Sequence, residues 1–526
     1  MTEPRKTFAI ISHPDAGKTT LTEKLLYFGG AIHTAGMVKS RKANRQATSD
    51  WMEIERQRGI SVTSSVMQFS YEGFQINILD TPGHQDFSED TYRTLTAADS
   101  AVMLIDTAKG VEAQTIKLFE VCRLRNIPIF TFINKMDREG RDPLSLMEEL
   151  EDVLGIRSCP MNWPIGSGYD FKGVYDRKSG QIERYLGKGQ ESDWISLYEG
   201  EEISAEAQNW LGEALLEKLL EDIELLDIAG DPFDQDKIDN GLLTPLFFGS
   251  ALTNFGVEPF LKYFLQLAPG PMPRNSDKGL ISADSPKFSG FIFKIQANMN
   301  PAHRDRIAFM RICSGVFTRG MSVLHTRTGK KVKLSQPQQF LAQERNIVEN
   351  AYPGDIIGLF DPGTFRIGDT LCEGNSGFTF DGVPHFSPEI FARVRAKDAM
   401  KYKQFHKGIE QLTEEGAVQY FTSVVPGVDN LILGVVGQLQ LEVFEYRLRG
   451  EYGVDVEIQP INYEMARWVK GDKKPEELNL IQYGGSLLVR DREERLVVLL
   501  ENSYAETWAN EKNPDVEFVS TSYELD

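Results

Sequence analysis

The chain has 526 residues, of which 41% are hydrophobic and 25% are charged, and its formal net charge is −20. At roughly 150 residues per domain, this length predicts three or four domains with hydrophobic cores of their own. The acidic balance argues against broad, nonspecific binding of RNA or DNA, which requires a basic surface. No apolar run approaches the roughly 20 residues that span a bilayer, and we expect no secretion signal in the short polar start.

The first predicted strand, residues 8–11, leads into a loop of small residues that ends in Gly17-Lys18-Thr19, and an amphipathic helix follows. Strand, loop and helix in this order form the context of a phosphate-binding P-loop. Lys18 is expected to reach the β- and γ-phosphates and the Thr19 hydroxyl to bind Mg²⁺. Ser12 stands where the pattern has glycine, so the loop by itself leaves a chance strand–turn–helix open. The predicted phosphate-binding residues are Ser12, His13, Pro14, Asp15, Ala16, Gly17, Lys18, Thr19 and Thr20.

A long polar segment, residues 39–58, separates this helix from the next strand and ends in residues 59–63. Its position predicts a switch I loop, in which a hydroxyl completes the coordination of Mg²⁺ when a γ-phosphate is present. Ser61 is the predicted ligand and Thr63 is the alternative. A third interpretation is that both are ordinary polar residues of an edge strand.

Two predicted strands, residues 66–69 and 74–79, pair with each other, and the second ends in Asp80-Thr81-Pro82-Gly83-His84. We interpret this segment as switch II. A carboxylate at the end of a buried strand, Asp80, can hold Mg²⁺, and Gly83 leaves its N–H open to a γ-phosphate because it has no Cβ. His84 is expected to orient the attacking water as the catalytic residue. As single features, D-x-x-G is a weak signal and a lone histidine is usually structural.

The next strands, residues 101–106 and 128–133, flank a helix and indicate a doubly wound α/β sheet with ligands at its carboxyl edge. The second strand leads into Asn134-Lys135-Met136-Asp137. The Asp137 carboxylate can accept two hydrogen bonds from guanine, from N1–H and the 2-amino group, and adenine lacks that pair of donors. Asn134 is expected to brace neighbouring loops and Lys135 to lie along the base.

A fifth nucleotide element is predicted at residues 247–251, where the N–H groups of Ser250 and Ala251 can meet guanine O6. Gly-Lys-Thr, Asp-x-x-Gly and N-K-x-D, each at a strand end and in this order, predict a guanine-nucleotide switch. A P-loop kinase is the alternative, but N-K-x-D has no purpose there.

Composition and predicted strand patterns divide the chain into three domains. We predict a GTP-binding domain over residues 1–272 with an insertion at about 140–245. Its part from Glu191 to Asp239 is acidic and helix-prone, and we place the insertion on the rim of the sheet. Proline and glycine in residues 268–274 mark a boundary. Short strands with regular turn glycines predict a β-barrel over 286–385. An order of β-α-β-β-α-β predicts a split βαβ, α+β domain over 386–526, whose last part is poorly legible.

Two further features lie outside the nucleotide motifs. Two basic runs, residues 39–42 and 401–407, are candidates for docking on a nucleoprotein, although a solvated face is the simpler interpretation of each. The cysteines are far apart and form no C-x-x-C pair, so we expect packing roles in a reducing cytoplasm rather than zinc binding or disulfides. They are Cys122, Cys159, Cys313 and Cys372.

These motifs resemble the translational GTPase family. Residues 12–19 are similar to the family's P-loop, in which a small residue other than glycine at the first position is usual. Residues 58–61 resemble its switch I ending, R-G-I-T, with serine for threonine, and residues 80–84 match its switch II signature. Residues 163–166, 171–174 and 434–443 resemble stretches of one member, elongation factor G.

The whole-length pattern, including residues 414–419, is similar to the branch of that family that acts in bacterial translation termination. The resemblance implies a GTPase that binds the ribosome, promotes departure of the stop-codon-reading release factor and leaves on GTP hydrolysis, with Mg²⁺ as cofactor. It also implies that His84 acts only when ribosomal RNA holds it. We further expect no DNA or membrane partner and a monomer off the ribosome.

Two alternatives stay open. The first is an elongation- or translocation-type GTPase, against which we weigh the end of the sequence at residue 526. The second is a nucleotide-gated ribosome-binding protein without productive hydrolysis, against which we weigh His84 beside Gly83.

Overall fold

A computed structural model of the chain describes residues 3–32, 55, 61–184, 193–297, 306–335, 337–341, 344–374, 377–383, 386–424, 431–471, 473–481 and 484–522. The predicted switch I segment, except Glu55 and its last residues from Ser61 onward, lies outside the described residues, as does the basic run at 39–42. None of the helices among these described residues combines the length and the hydropathy of a membrane-spanning segment.

The first part of the chain, up to Leu267, alternates strands and helices. Its strands are β1 (Arg5–Ile11), β2 (Ser65–Tyr71), β3 (Phe74–Asp80), β4 (Ser100–Asp106), β5 (Ile129–Asn134), β6 (Arg157–Pro160), β7 (Asn162–Ile165), β8 (Gly173–Asp176), β9 (Gln181–Arg184), β10 (Asp193–Ser196), β11 (Tyr198–Glu199), β12 (Glu202–Ile203) and β13 (Leu243–Phe248). Its helices are α1 (Lys18–Phe28), α2 (Ser88–Leu95), α3 (Ala113–Leu124), α4 (Pro143–Leu154), α5 (Ala205–Leu211), α6 (Glu213–Ala229), α7 (Gln235–Asp239) and α8 (Val257–Leu267).

The main sheet has seven strands in the order β2-β3-β1-β4-β5-β13-β6. Strand β2 pairs antiparallel with β3, and the other neighbours pair in parallel. Alternate residues of each buried strand face opposite layers, so Phe8 and Ile10 pack under α1 and α8, whereas Ala9 and Ile11 pack under α2, α3 and α4. The predicted doubly wound sheet is confirmed, and the carboxyl ends of its parallel strands meet at one edge.

The predicted insertion after β5 has two parts. Helix α4 and strand β6 belong to the main layers, because β6 pairs with β13 at the sheet edge. Strands β7 to β10 form a separate four-stranded antiparallel sheet, and α6 packs on it. The buried indole of Trp163 donates to Asp222 of α6 across 3.0 Å. The residues between β5 and β13 therefore contribute an edge strand to the main sheet as well as a sheet of their own.

The second part of the chain is built of short strands, as predicted. They are β14 (Ser289–Ala297), β15 (Arg306–Ser314), β16 (Phe317–Thr318), β17 (Ser322–His325), β18 (Lys330–Lys333), β19 (Gln338–Leu341), β20 (Glu344–Ile347), β21 (Asn350–Ala351), β22 (Ile356–Phe360) and β23 (Thr370–Cys372). Eight of them form one antiparallel sheet in the order β18-β17-β23-β14-β15-β22-β19-β20, around a core that includes Ile292, Met310 and Leu371. This is the expected barrel-like domain.

The third part has the strands β24 (Ile390–Ala396), β25 (Gln419–Ser423), β26 (Ile432–Val435), β27 (Val456–Ile461), β28 (Met465–Lys470), β29 (Ser486–Arg490), β30 (Leu496–Leu500) and β31 (Glu517–Val519) and the helices α9 (Tyr402–Glu414), α10 (Gln438–Tyr452) and α11 (Ser503–Lys512). The order β24-α9-β25-β26-α10-β27 confirms the predicted split βαβ arrangement. Strand β29 pairs with β25, so the segment that was illegible in the sequence extends the same sheet. We call this part the third domain.

Buried polar contacts join the three parts. Arg311 of the barrel-like domain, 1% exposed, donates to Asp99 of the first part across 2.5 Å and to the Ala97 carbonyl across 3.0 Å. Arg93 of α2 donates to the Gly416 carbonyl of the third domain across 2.9 Å. Buried charges hold an interface when each has a partner in hydrogen-bond geometry. The nucleotide motifs therefore lie in a domain that contacts both others through buried polar groups.

The four cysteines are buried and have free thiols, which confirms the packing role predicted for them. Burial raises the pKa of the Cys122 thiol to about 12. A thiol in that state is protonated at neutral pH and is a poor nucleophile.

Candidate nucleotide-binding site

The predicted P-loop lies between the end of β1 and the start of α1. Gly17 precedes α1 with φ +103°, a conformation that favours glycine, and a Cβ on Gly17 would lie 2.5 Å from Asn134 Nδ2. Ala16 is buried, Asp15 is exposed, and Thr19 and Thr20 are half-buried in the first turn of the helix. The loop thus wraps the N-terminus of a helix, where backbone N–H groups and the helix dipole attract an anion.

Lys18 is buried at the centre of this loop. Its Nζ lies 3.2 Å from Ser12 Oγ and 3.4 Å from the Ser12 carbonyl oxygen. Burial lowers the pKa of Lys18 to about 8, and the carboxylates of Asp80 and Asp15 oppose that shift. A Cβ on Gly83 would lie 2.5 Å from Lys18 Nζ, so the glycine of switch II faces the lysine of the P-loop. A buried ammonium between the P-loop backbone and the Gly83 backbone is suited to bind a phosphate group.

His13, the second residue of the loop, is buried, and its Nε2 lies 3.2 Å from Glu112 Oε2. Burial lowers the pKa of His13, although Glu112 opposes the shift. The sequence interpretation gave Glu112 no role. It directly precedes α3, so the contact ties the P-loop to the layer of helices beneath it.

Asn134 joins the P-loop to the loop after β13. Its Nδ2 donates to the Ala16 carbonyl across 2.8 Å, and its Oδ1 accepts from the Ala251 N–H across 2.9 Å. The side chain is 2% exposed, so both bonds are shielded from water. The structure thus places Asn134 as the brace that the sequence predicted.

Lys135 and Asp137 lie on either side of buried Met136. Lys135 Nζ donates to the Asp15 carbonyl across 2.5 Å and to Asp106 Oδ2 across 2.6 Å, and its backbone has φ +73°. The sequence interpretation also missed Asp106. The available signal was the one used for Asp80, a carboxylate at the end of a buried strand.

The segment after β13, the predicted fifth element, contacts the N-K-x-D segment. Ser250 Oγ donates to Asp137 Oδ1 across 2.6 Å, and the Met136 N–H donates to the Gly249 carbonyl across 3.1 Å. A Cβ on Gly249 would lie 2.5 Å from the Phe255 carbonyl oxygen, so only glycine lets these two backbone segments come this close. Asp137 is half-buried and keeps its second carboxylate oxygen for another donor.

Asp80 ends β3 and is 3% exposed, and Lys18 interacts with it electrostatically. The next residue, Thr81, donates through its hydroxyl to the Ile10 carbonyl across 2.6 Å, which fixes switch II against β1. Pro82 follows Thr81 and is buried, and Gly83 comes next.

His84 caps a 3₁₀ turn, Gln85–Phe87. Its Nδ1 accepts from the Asp86 N–H across 3.2 Å, and its side chain is 35% exposed.

Glu55 holds the last residues of the predicted switch I. Glu55 Oε1 accepts from the Val62 and Thr63 N–H groups, at 2.9 and 3.1 Å. Thr63 lines a cleft between the three parts of the chain, together with Lys294 and Arg447. Ser61 is half-buried.

Comparison with known proteins agrees with this geometry. Residues 3–270 match the family model described as "Elongation factor Tu GTP binding domain", residues 287–374 match "Elongation factor G domain 2", and residues 380–510 match "Class II release factor RF3, C-terminal domain". The first of these covers the predicted P-loop, switch II and guanine-binding segments.

Curated relatives extend the match over nearly the whole chain. A protein of Symbiobacterium thermophilum named "Peptide chain release factor 3" is 62% identical over 522 residues, 98% of each chain. A protein of Listeria innocua with the same name is 58% identical over 517 residues, again 98% of each chain. A crystal structure of a protein from Thermus thermophilus, ttk003000868, has the same fold, with TM-score 0.70, 22% identity and coverage of 93% of this chain and 72% of that one.

Models of a GTP-binding domain, a barrel-like second domain and a release-factor C-terminal domain match successive parts of this chain, and the relatives are 62% and 58% identical to it over 98% of each chain. The chain is a GTPase, and it belongs to the peptide chain release factor 3 family of translational GTPases.

Proposed function

We propose that this GTPase is stimulated by the ribosome and promotes dissociation of the stop-codon-reading release factors after peptide release, and that GTP hydrolysis then drives its own departure. The observation that carries the proposal is the meeting of the P-loop, switch II and both guanine-binding segments at one sheet edge. The names of the relatives supply the termination step.

Guanine selection rests on Asp137, with Ser250 and Ala251 beside it. The 2.6 Å bond from the Ser250 hydroxyl fixes one carboxylate oxygen, so the carboxylate plane is set before the base arrives. The two preorganised carboxylate oxygens can accept from both donors of guanine, whereas adenine would leave them unpaired. Lys135 is already held by Asp15 and Asp106, and its stem is proposed to lie along the base.

The phosphates are assigned to residues 12–20 and to the Gly83 N–H. The ammonium of Lys18 faces Gly83, so it is proposed to approach the β- and γ-phosphates. An anion at this point offsets the cost of burying the ammonium. The bond that Lys18 now makes with Ser12 is then exchanged for phosphate oxygens.

A Mg²⁺ ion is assigned to the hydroxyls of Thr19 and Ser61 and the buried carboxylate of Asp80. Two hydroxyls and a carboxylate are the oxygen ligands that Mg²⁺ takes beside nucleotide phosphates. Ser61 is preferred over Thr63 because Thr63 lines the cleft between domains. Among the described residues, no group of three or more His, Cys, Asp or Glu competes for the ion. When bound, Mg²⁺ neutralises charge that develops between the β- and γ-phosphates.

His84 is proposed to orient the attacking water. It follows Gly83 directly, so it stands one residue from the assigned γ-phosphate contact. In the structure its Nδ1 lies 3.2 Å from the Asp86 backbone nitrogen, so the ring is held within switch II. Loss of the γ-phosphate releases the contacts of Ser61 and Gly83, and the domains then reorient.

Ribosomal RNA and ribosomal proteins are the proposed docking partners, in the cytoplasm, with neither DNA nor a membrane involved and with a monomer off the ribosome. The basic run 401–407 lies at the start of α9, and Lys403 and Lys407 are exposed. An elongation-type role is the second candidate, which the match of residues 287–374 to the second domain of elongation factor G favours.

The test uses ribosomes stalled at a stop codon after peptide release, with a fluorescent release factor bound. We expect the chain with GTP to accelerate loss of the fluorescent factor, and His84→Ala to retain GTP binding but lose ribosome-stimulated hydrolysis. Empty ribosomes and a tRNA-translocation assay are the controls. Accelerated translocation with unchanged release-factor loss would replace the proposal by the elongation-type role, and a normal stimulated rate in His84→Ala would remove that residue from catalysis.

A further inference from the structure

Helix α10 of the third domain begins without a cap of its own. Its N-cap residue is Gly437, which has no side chain to accept a hydrogen bond from the first turn. The first N–H groups of a helix need acceptors, which the N-cap side chain commonly supplies. Here the Leu439 N–H donates across 2.8 Å to Asp86 Oδ2, in the 3₁₀ turn of switch II. Switch II therefore caps a helix in another domain.

The approach is close and shielded. A Cβ on Gly437 would lie 2.0 Å from the Asp86 carboxyl carbon, so only glycine leaves room for the carboxylate. Phe87 packs with Val443 and Leu439 of α10 and covers the bond with apolar surface. Asp86 itself is 5% exposed, and an anion at a helix N-terminus is further favoured by the helix dipole.

The same residue holds the imidazole of His84. The Asp86 N–H donates to His84 Nδ1 across 3.2 Å, and Asp86 Oδ1 lies 3.1 Å from that nitrogen. One short turn thus joins the imidazole to the first turn of α10. A movement of α10 against switch II displaces Asp86, and with it the support of the ring.

We infer that Asp86 is a positioning residue: by binding the first turn of α10, it makes the placement of His84 depend on the docking of the third domain. The inference rests on the proposed catalytic role of His84. Docking fixes the 3₁₀ turn, and a fixed turn presents the imidazole in one place when the γ-phosphate is bound. Loss of the contact lowers turnover and leaves nucleotide binding intact, because Asp86 touches neither the P-loop nor the guanine segments in the described structure.

The experiment measures kcat and KM for ribosome-stimulated GTP hydrolysis in four variants. Asp86→Ala and Gly437→Ala are each expected to lower kcat about tenfold with KM for GTP unchanged, which marks an interaction used after binding. Asp86→Asn retains most of the activity, because its amide oxygen still accepts from the Leu439 N–H. In the double variant Asp86→Ala/Gly437→Ala, the Gly437→Ala change is expected to add little. Its new methyl group clashes only with the Asp86 carboxylate, which the Asp86→Ala change has already removed.

The matched control is Asp398→Ala. Asp398 also caps a short turn of the third domain, at the Met400 N–H across 2.9 Å, but it is exposed. It is expected to keep the parent kcat. Unchanged kcat in both Asp86→Ala and Gly437→Ala, or full multiplication of their effects in the double variant, would overturn the inference.

Hydrogen exchange of the first turn of α10, measured on the full chain without ribosomes, separates this inference from the proposed function. Exchange at Leu439 is expected to accelerate at least about tenfold in Asp86→Ala and to stay near the parent rate in Asp86→Asn. Unchanged exchange in Asp86→Ala refutes the cap whatever the ribosome assay shows. Normal turnover in His84→Ala refutes the proposed catalytic role, even where the exchange data support the cap.

Discussion

Asn134→Ala is expected to weaken guanine-nucleotide binding more than it destabilises the fold. The substitution removes the acceptor of the Ala251 N–H and the donor to the Ala16 carbonyl, both on residues that are at most 1% exposed. Each buried backbone group left without a partner costs about 1–3 kcal/mol. Two such groups cost about 2–6 kcal/mol. Because both belong to nucleotide loops, we expect most of this loss to appear in binding, and about 3 kcal/mol corresponds to roughly a hundredfold rise in the Kd for GDP.

Asn162→Ala supplies the matched control. Its amide also bridges two strands, donating to the Phe248 carbonyl across 3.0 Å and accepting from the Phe248 N–H across 2.7 Å, but it does not touch the P-loop. Fluorescent GDP titration gives the Kd and urea unfolding gives the stability of each variant. We expect similar losses of stability and a much smaller loss of affinity in Asn162→Ala. Equal losses of affinity in the two variants would refute the bracing role of Asn134.

Two other outcomes follow from buried charges. Arg311→Met leaves the carboxylate of Asp99 buried without its cation, so we expect the free energy of unfolding to fall by about 3–5 kcal/mol in urea titration; an unchanged midpoint would show that this contact does not hold the domains together. The second concerns Lys18, whose pKa in the free protein is about 8. Bound phosphate stabilises the ammonium and raises the pKa of Lys18 in the complex. The affinity for GDP is therefore highest below about pH 8 and falls as the pH rises through that value. A Kd that stays constant well above about pH 8 would contradict the assigned contact of Lys18 with phosphate.

The nucleotide motifs were predictable because each is local. Residues 12–19, 80–84 and 134–137 lie within a few positions of the strand that carries them, and an apolar run followed by small or polar residues is visible in the sequence. Parallel pairing then brings every such strand end to the same edge, whatever the distance along the chain. The position of Ser250 and Ala251 followed from the same rule, although a long segment separates them from Asp137.

The contacts between domains could not be predicted in this way. Leu439 and Asp86 are 353 positions apart, and Arg311 and Asp99 are 212 apart. Neither pair repeats at a helical or strand period, and a glycine at position 437 resembles any other helix start. Glu112 was missed for a related reason. Glu112 pairs with His13 through a contact that only the folded sheet creates, whereas Asp106, which pairs with Lys135, did carry the strand-end signal that was used for Asp80.

The central claim is that one cleft selects guanine through Asp137, and replacing its carboxylate tests it most directly. In Asp137→Asn the amide presents one acceptor and one donor, so it no longer matches both donors of guanine but matches xanthine, which carries an oxygen in place of the 2-amino group. We expect the affinity for GTP to fall at least about a hundredfold and xanthosine triphosphate to restore ribosome-stimulated turnover. Asp142→Asn, at the exposed cap of α4, controls for loss of charge nearby. Parent affinity for GTP in Asp137→Asn would contradict the account.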